Sequence, residues 1–197
     1  MKTSNKAAIK LPFDFNVQRL QAELTLLDNE WEVSLTPRTE PGTYWIINLM
    51  TPDLEADRVD GILPFKWHPA LDNCPYLMEV LNTFPCRFQR VMIRKLMPGK
   101  GFTKHRDPMY YEKGEVRIHV PIVTDDLFEI YFNDERVIMP EGECWYLNTR
   151  LIHWGINKSE NDRVHLIMDC DVDDWMENLF VNLGFPPQAE AKKALFY

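Results

Sequence analysis

A mainly β architecture, a sandwich or jelly roll with helices at its flanks, is what this sequence predicts. At least six short apolar segments follow one another in the second half of the chain, at 88–97, 116–123, 128–132, 136–139, 144–147 and 163–172. Turn-forming residues, among them Asn133-Asp134, Pro140-Glu141-Gly142 and Asn157-Lys158-Ser159, separate them. The main helical periodicities come before this run instead of alternating with it, and there is no Gly-rich phosphate loop. A parallel α/β sheet is therefore excluded.

Taken in order, the chain opens with a polar leader and an amphipathic helix. Val17, Leu20, Leu24 and Leu27 recur at three and four residues, and Asp14 is placed to cap them. Trp31, Val33 and Leu35 alternate with polar residues as a half-buried strand, 37–42 turns the chain, and 44–50 reads as a more deeply buried strand. Between 51 and 70 no period survives among four prolines and glycines and several acids, so a long loop is expected, a lid or a plain surface excursion. His68 within it is a loop histidine. A second helix follows, with Asn73 as its cap, Pro75 in its first turn and Leu77, Val80, Leu81 and Phe84 as its stripe. After the strands, Asp173, Trp175, Met176 and Leu179 suggest a short closing helix within 173–184.

With 197 residues, 45% of them hydrophobic, the chain suits one buried core, so a single domain over 1–197 is expected, its centre at 87–172 on an N-terminal support of 1–86. No apolar run approaches the roughly 18 residues of a membrane span, and a signal-peptide core is not seen, which points to a cytoplasmic protein. A net charge of −8 without a basic stripe argues against nucleic acid as a partner. Cys74, Cys86, Cys144 and Cys170 have no close zinc-type spacing and read as reduced core residues.

The chemistry concentrates between His105 and Arg163. His105 and Asp107 stand two apart, so on an extended strand both would leave one face, and His153 follows far downstream among Ile152, Trp154 and Ile156. Two histidines and a carboxylate are what one face of an Fe(II) ion needs if the other is to stay open. The alternative for His153 is a core imidazole bonded to backbone. His105-Arg106-Asp107 also echoes a kinase catalytic loop, but Glu112 stands where the asparagine belongs. Arg163, ten residues past His153, starts an apolar strand where a guanidinium needs an anion: an acidic co-substrate, or Asp162 beside it. His165 shares its parity and reads as a supporting or packing residue.

The ordered set Leu96-Met97-Pro98-Gly99, His105, Arg117-Ile118-His119-Val120-Pro121, 142–148, His153 and 163–169 resembles the aspartyl/asparaginyl β-hydroxylase family over roughly residues 87–172. That family comprises Fe(II)- and 2-oxoglutarate-dependent oxygenases with a double-stranded β-helix fold, to which bacterial proline hydroxylases are related. The resemblance implies that His105, Asp107 and His153 hold Fe(II), that Arg163 binds the distal carboxylate of 2-oxoglutarate, and that His119 helps to hold the co-substrate. Arg117 would meet a carboxylate of the co-substrate or the prime substrate. The animal aspartyl β-hydroxylases lack the metal carboxylate that Asp107 supplies here, and Arg94 stands where they carry a co-substrate-binding serine.

The implied activity is hydroxylation of a C–H in a small carboxylate-bearing molecule, most simply a free amino acid or its derivative, with O2 as oxidant. Arg117 and Arg94 would grip its carboxylate, with Trp175 or the 51–70 loop closing over it. Two other readings are a cupin-like protein that binds a metal or metabolite without turnover, and a peptidyl Asp/Asn β-hydroxylase.

Overall fold

The structure, a computed structural model, describes residues 6–35, 39–40, 42–56 and 64–193. Its strands in chain order are β1 (Ala8–Asp14), β2 (Glu32–Val33), β3 (Tyr44–Asn48), β4 (Met50–Pro52), β5 (Phe65–Trp67), β6 (Phe88–Leu96) and β7 (Gly101–His105). There follow β8 (Glu115–Val123), β9 (Phe128–Phe132), β10 (Glu135–Val137), β11 (Glu143–Leu147), β12 (His153–Asn157) and β13 (Arg163–Asp171). The helices are α1 (Val17–Leu26), α2 (Pro75–Asn82), α3 (Asp174–Asn182) and α4 (Gln188–Lys193).

From β6 onward the chain passes back and forth between two antiparallel sheets. The larger has the order β1-β11-β8-β13-β6-β3-β2 and the smaller β10-β9-β12-β7. This winding is a double-stranded β-helix, the fold expected from the family resemblance.

The central strand β13 explains why the parity of the sequence matters. Val164, Leu166, Met168 and Cys170 enter one apolar cluster with Leu20 of α1, Leu77 and Leu81 of α2 and Phe180 of α3. Successive side chains on a strand leave opposite faces, so Arg163, His165, Ile167 and Asp169 turn toward the smaller sheet. β8 behaves alike: Val116, Ile118, Val120 and Ile122 join the helix-side cluster, while Arg117 and His119 line a cavity between the sheets. Each aliphatic side chain fully withdrawn from water contributes roughly 1.5–3 kcal/mol. The helix-side layer thus supplies the stability that lets the other face of the sheet carry charge.

Several expected details are corrected. The leader is not uniformly polar, since Ala8–Asp14 forms β1, an edge strand paired with β11. The cap of α1 is Asn16, whose side chain accepts from the Arg19 N–H at 3.0 Å, while Asp14 pairs with Lys10 at 2.9 Å. Asn73 does not cap α2. Glu23 of α1 does, accepting from the N–H groups of Tyr76 and Leu77 at 2.7 Å each. The strand expected at Trp31 to Leu35 shrinks to two residues, with Leu35 85% exposed, because it lies on the outer edge of the sheet beside β3.

The expected turn at 37–42 and the loop at 51–70 lie partly outside the described residues. Those described in the loop include β4 and β5, paired as a hairpin. His68 caps a short 3-10 turn through Nδ1, which accepts from the Ala70 N–H at 3.3 Å. Among the described residues no helix is long and apolar enough to cross a membrane, and Cys74, Cys86, Cys144 and Cys170 are free thiols, Cys86 only partly buried.

Candidate metal centre and its cavity

His105 ends β7 and His153 begins β12, and the two are direct cross-strand partners. Their rings lie 4.3 Å apart between centroids. Two glycines permit this approach of the strands. A Cβ at Gly155 would lie 2.8 Å from the Phe102 ring and 2.9 Å from the Glu129 carbonyl, and one at Gly101 only 2.6 Å from the Gly155 carbonyl. His153 also stacks on Phe132, with centroids 5.0 Å apart.

The orientation of both imidazoles is set by the backbone. Nδ1 of His105 lies 2.7 Å from the Thr103 carbonyl, and Nδ1 of His153 lies 3.0 Å from that of Leu151. A carbonyl can only accept, so each Nδ1 carries the proton and each Nε2 presents its lone pair. Burial pushes the pKa of His153 down to about 4, so it is neutral at pH 7 and able to ligate.

Asp107 lies beyond the end of β7, so the expected single strand carrying both residues is not formed. Its place is fixed instead by its backbone N–H, which donates to the Thr149 carbonyl at 2.9 Å. One ligand atom from each of His105, Asp107 and His153 lies within 4.8 Å of the others. Nε2 of His105 is 3.8 Å and Nε2 of His153 is 3.9 Å from the nearer carboxylate oxygen of Asp107.

These three residues line a cavity of about 240 Å³ between the sheets, and Arg163, His119, Arg117 and Arg94 line it with them. Arg163 is 4% exposed. It lies over the Phe128 ring at 4.6 Å, and its Nη2 is 2.5 Å from Nδ1 of His165. Burial lowers its pKa to about 9, which leaves it cationic at neutral pH. Asp162 is not its partner, for that carboxylate lies 3.6 Å from Lys95. Nε of Arg163 is buried without a hydrogen-bond partner among the described residues, as is Nε of Arg94. His119, with Nδ1 3.3 Å from Nδ1 of His165, is held neutral mainly by burial and then by the charge of Arg163.

Two expectations about substrate residues are met differently. Trp175 does not line the cavity; it packs against Phe13 and Phe84 in the helix-side aromatic cluster, because α3 docks on the opposite face of the larger sheet. Arg117 lines the cavity but already has anionic partners, Asp169 and Asp107. The sequence reading also passed over Arg90, which lines the cavity from the same face of β6 as Arg94. Its parity with Arg94, opposite that of Val91 and Ile93, was the available signal.

Residues 16–172 match the sequence profile of the family described as aspartyl/asparaginyl beta-hydroxylase. The chain belongs to that family. It is similar to L-proline cis-4-hydroxylase of Rhizobium meliloti (strain 1021), 25% identical over 122 residues. That match covers 60% of this chain and 43% of the relative, so the chain spans less than half of that protein's length.

Two solved structures share the fold of this β-hydroxylase family member. One is an oxidoreductase of the 2OG-Fe(II) oxygenase family from Burkholderia pseudomallei, with TM-score 0.56 and 13% identity, covering 85% of this chain and 86% of that one. The other is a Pseudomonas putida prolyl-4-hydroxylase, with TM-score 0.52 and 10% identity, covering 86% and 95%.

Proposed function

We propose that this protein is an Fe(II)- and 2-oxoglutarate-dependent dioxygenase that hydroxylates a C–H of a small carboxylate-bearing substrate, a free amino acid or its derivative. The observation that carries this reading is the convergence of His105, Asp107 and His153 beside Arg163, a buried cation whose Nε has no hydrogen-bond partner among the described residues. Two imidazole lone pairs and a carboxylate suit Fe(II). A buried guanidinium with unused donors suits a carboxylate, which it can meet with two parallel N–H bonds. When bound, Fe(II), 2-oxoglutarate and O2 supply the oxidation that converts R–H to R–OH while the co-substrate becomes succinate and CO2.

The chain's own residues do the positioning. His105, Asp107 and His153 hold the metal from one side and leave the other open to the cavity. Arg163 takes the distal carboxylate of the co-substrate, and neutral His119 lines the same cavity without adding charge. Phe102, Ile130 and Phe132 make the cavity wall apolar near the metal residues, which strengthens each electrostatic contact inside.

The substrate carboxylate falls to Arg94, with Arg90 nearer solvent. Arg94 lies over the Tyr44 ring at 5.0 Å and its buried Nε has no hydrogen-bond partner among the described residues; Arg90 donates to Asn48 at 3.3 Å. The R. meliloti proline hydroxylase supports an amino acid as the substrate class, and thiols buried at Cys74, Cys144 and Cys170 accord with a cytoplasmic setting. Free amino acids and their amides, compared by substrate-stimulated succinate release, test this. Stimulation by one or more free acids, with the matching amide at least about tenfold poorer, is expected; stimulation by amides alone contradicts it.

A further inference from the structure

The geometry points to Asp169 and Arg117 as a positioning pair that holds Asp107 in the orientation the metal requires, an inference that rests on the metal reading above. Asp169 is 1% exposed, on the central strand β13, and lies in register with Arg117 on β8. A carboxylate so deeply buried is costly unless a cation and good hydrogen bonds meet it. Arg117 does so with one edge of its guanidinium, Nε donating to Oδ1 of Asp169 at 2.7 Å and Nη2 to Oδ2 at 2.9 Å. This bidentate pairing fixes the plane of the guanidinium and aims the remaining nitrogen. Nη1 donates to Oδ2 of Asp107 at 2.7 Å.

Asp107 needs such help more than the two histidines do. Those sit on paired strands, with Nδ1 tied to a carbonyl. Asp107 stands in the segment after β7, where the backbone bond to Thr149 fixes the main chain but not the side-chain torsions. Arg117 engages Oδ2, which lies 3.9 Å from Nε2 of His153, while Oδ1 lies 3.8 Å from Nε2 of His105, so the held carboxylate presents one oxygen to each imidazole.

Charge gives the pair a second task. A bare guanidinium beside a divalent cation would repel it and compete for the same carboxylate. The buried charge of Asp169 offsets that of Arg117, so Arg117 can steer Asp107 without driving off the metal. The pair is not a weak surface contact, because the side chains of Arg117 and Asp169 are only 12% and 1% exposed.

Ni(II), a redox-inert stand-in that binds such donors more tightly than Fe(II), is titrated calorimetrically into wild type, Asp169→Asn, Asp107→Ala and the double variant, with thermal unfolding of each metal-free protein alongside. Asp169→Asn is expected to weaken Ni(II) binding by about 10–100-fold. In the Asp107→Ala background the same change should cost several-fold less, since only the uncompensated charge of Arg117 remains once the route through Asp107 is gone. An unchanged affinity in Asp169→Asn, or an equal loss in both backgrounds, overturns the assignment, and a lower melting temperature alone counts as structural. If Asp169→Asn does not fold, Arg117→Lys takes its place; its ammonium lacks the planar fork that grips Asp169 with two nitrogens and aims the third at Asp107, and the same loss and the same dependence on Asp107 are required. A wild-type protein that takes up no Ni(II) removes the metal site itself, whereas normal wild-type binding with unaffected variants removes only this inference.

Discussion

Alanine at His105, Asp107 or His153 is expected to abolish substrate-stimulated succinate formation while leaving a folded chain. Three donors are the fewest that hold this ion with an open face, and none has a neighbour placed to replace it: among the described residues they form the one cluster of three or more His, Cys, Asp or Glu side chains that could ligate a metal. Asp107→Ala removes a side chain that lies outside the strands, and leaves Nη1 of Arg117 without that carboxylate. His153→Ala also removes the stack on Phe132 and will cost stability as well. Succinate release measured next to circular dichroism separates the two effects. Full activity in any one folded variant removes that residue from the metal site.

The second large effect concerns Arg163. Arg163→Ala should raise the 2-oxoglutarate concentration for half-maximal activity by at least an order of magnitude, since every 1.4 kcal/mol is tenfold and a lost buried charge pair costs about 2–5 kcal/mol. Arg163→Lys keeps the charge but loses the planar fork and should fall between. The guanidinium has no carboxylate of its own in the described part of the protein, only the ring nitrogen of His165 and the face of Phe128. Its burial is thus compensated only when an anion enters. An unchanged half-saturation would mean that the anion lies elsewhere, with Arg94 the next cation to test.

The legible part of the fold was the part written with period 2. On β8 and β13 the alternation is unbroken, and it places Arg117, His119, Arg163 and His165 on one face. β7 and β12, which carry the two histidines, were not recognised as strands. They are five residues each, and they contain Gly101, Thr103, Lys104 and Gly155 where an apolar period would be needed. Those glycines are demanded by the close approach of the two strands, so the feature that builds the site is the one that hides it.

Partners distant in sequence were illegible for a different reason. Glu23 capping α2 and Asp169 holding Arg117 are pairings across more than 50 residues, and local rules for caps and strand faces propose only nearby candidates. Counting buried cations by parity suggested a free Arg117. The carboxylate that meets it stands on the neighbouring strand, and only the register of β8 and β13 shows it. Trp175 failed likewise, because the helical pattern around it does not say against which face of the sheet α3 will dock.

The central claim is tested most directly by isotope. The protein loaded with Fe(II) is given 2-oxoglutarate, a mixture of free amino acids and ¹⁸O2, and the products are weighed by mass spectrometry. The account predicts succinate carrying one ¹⁸O atom, in step with a hydroxylated amino acid carrying the other, and neither product from Asp107→Ala. Metal-loaded, folded wild type that consumes no 2-oxoglutarate, or that yields succinate without the label, would contradict it.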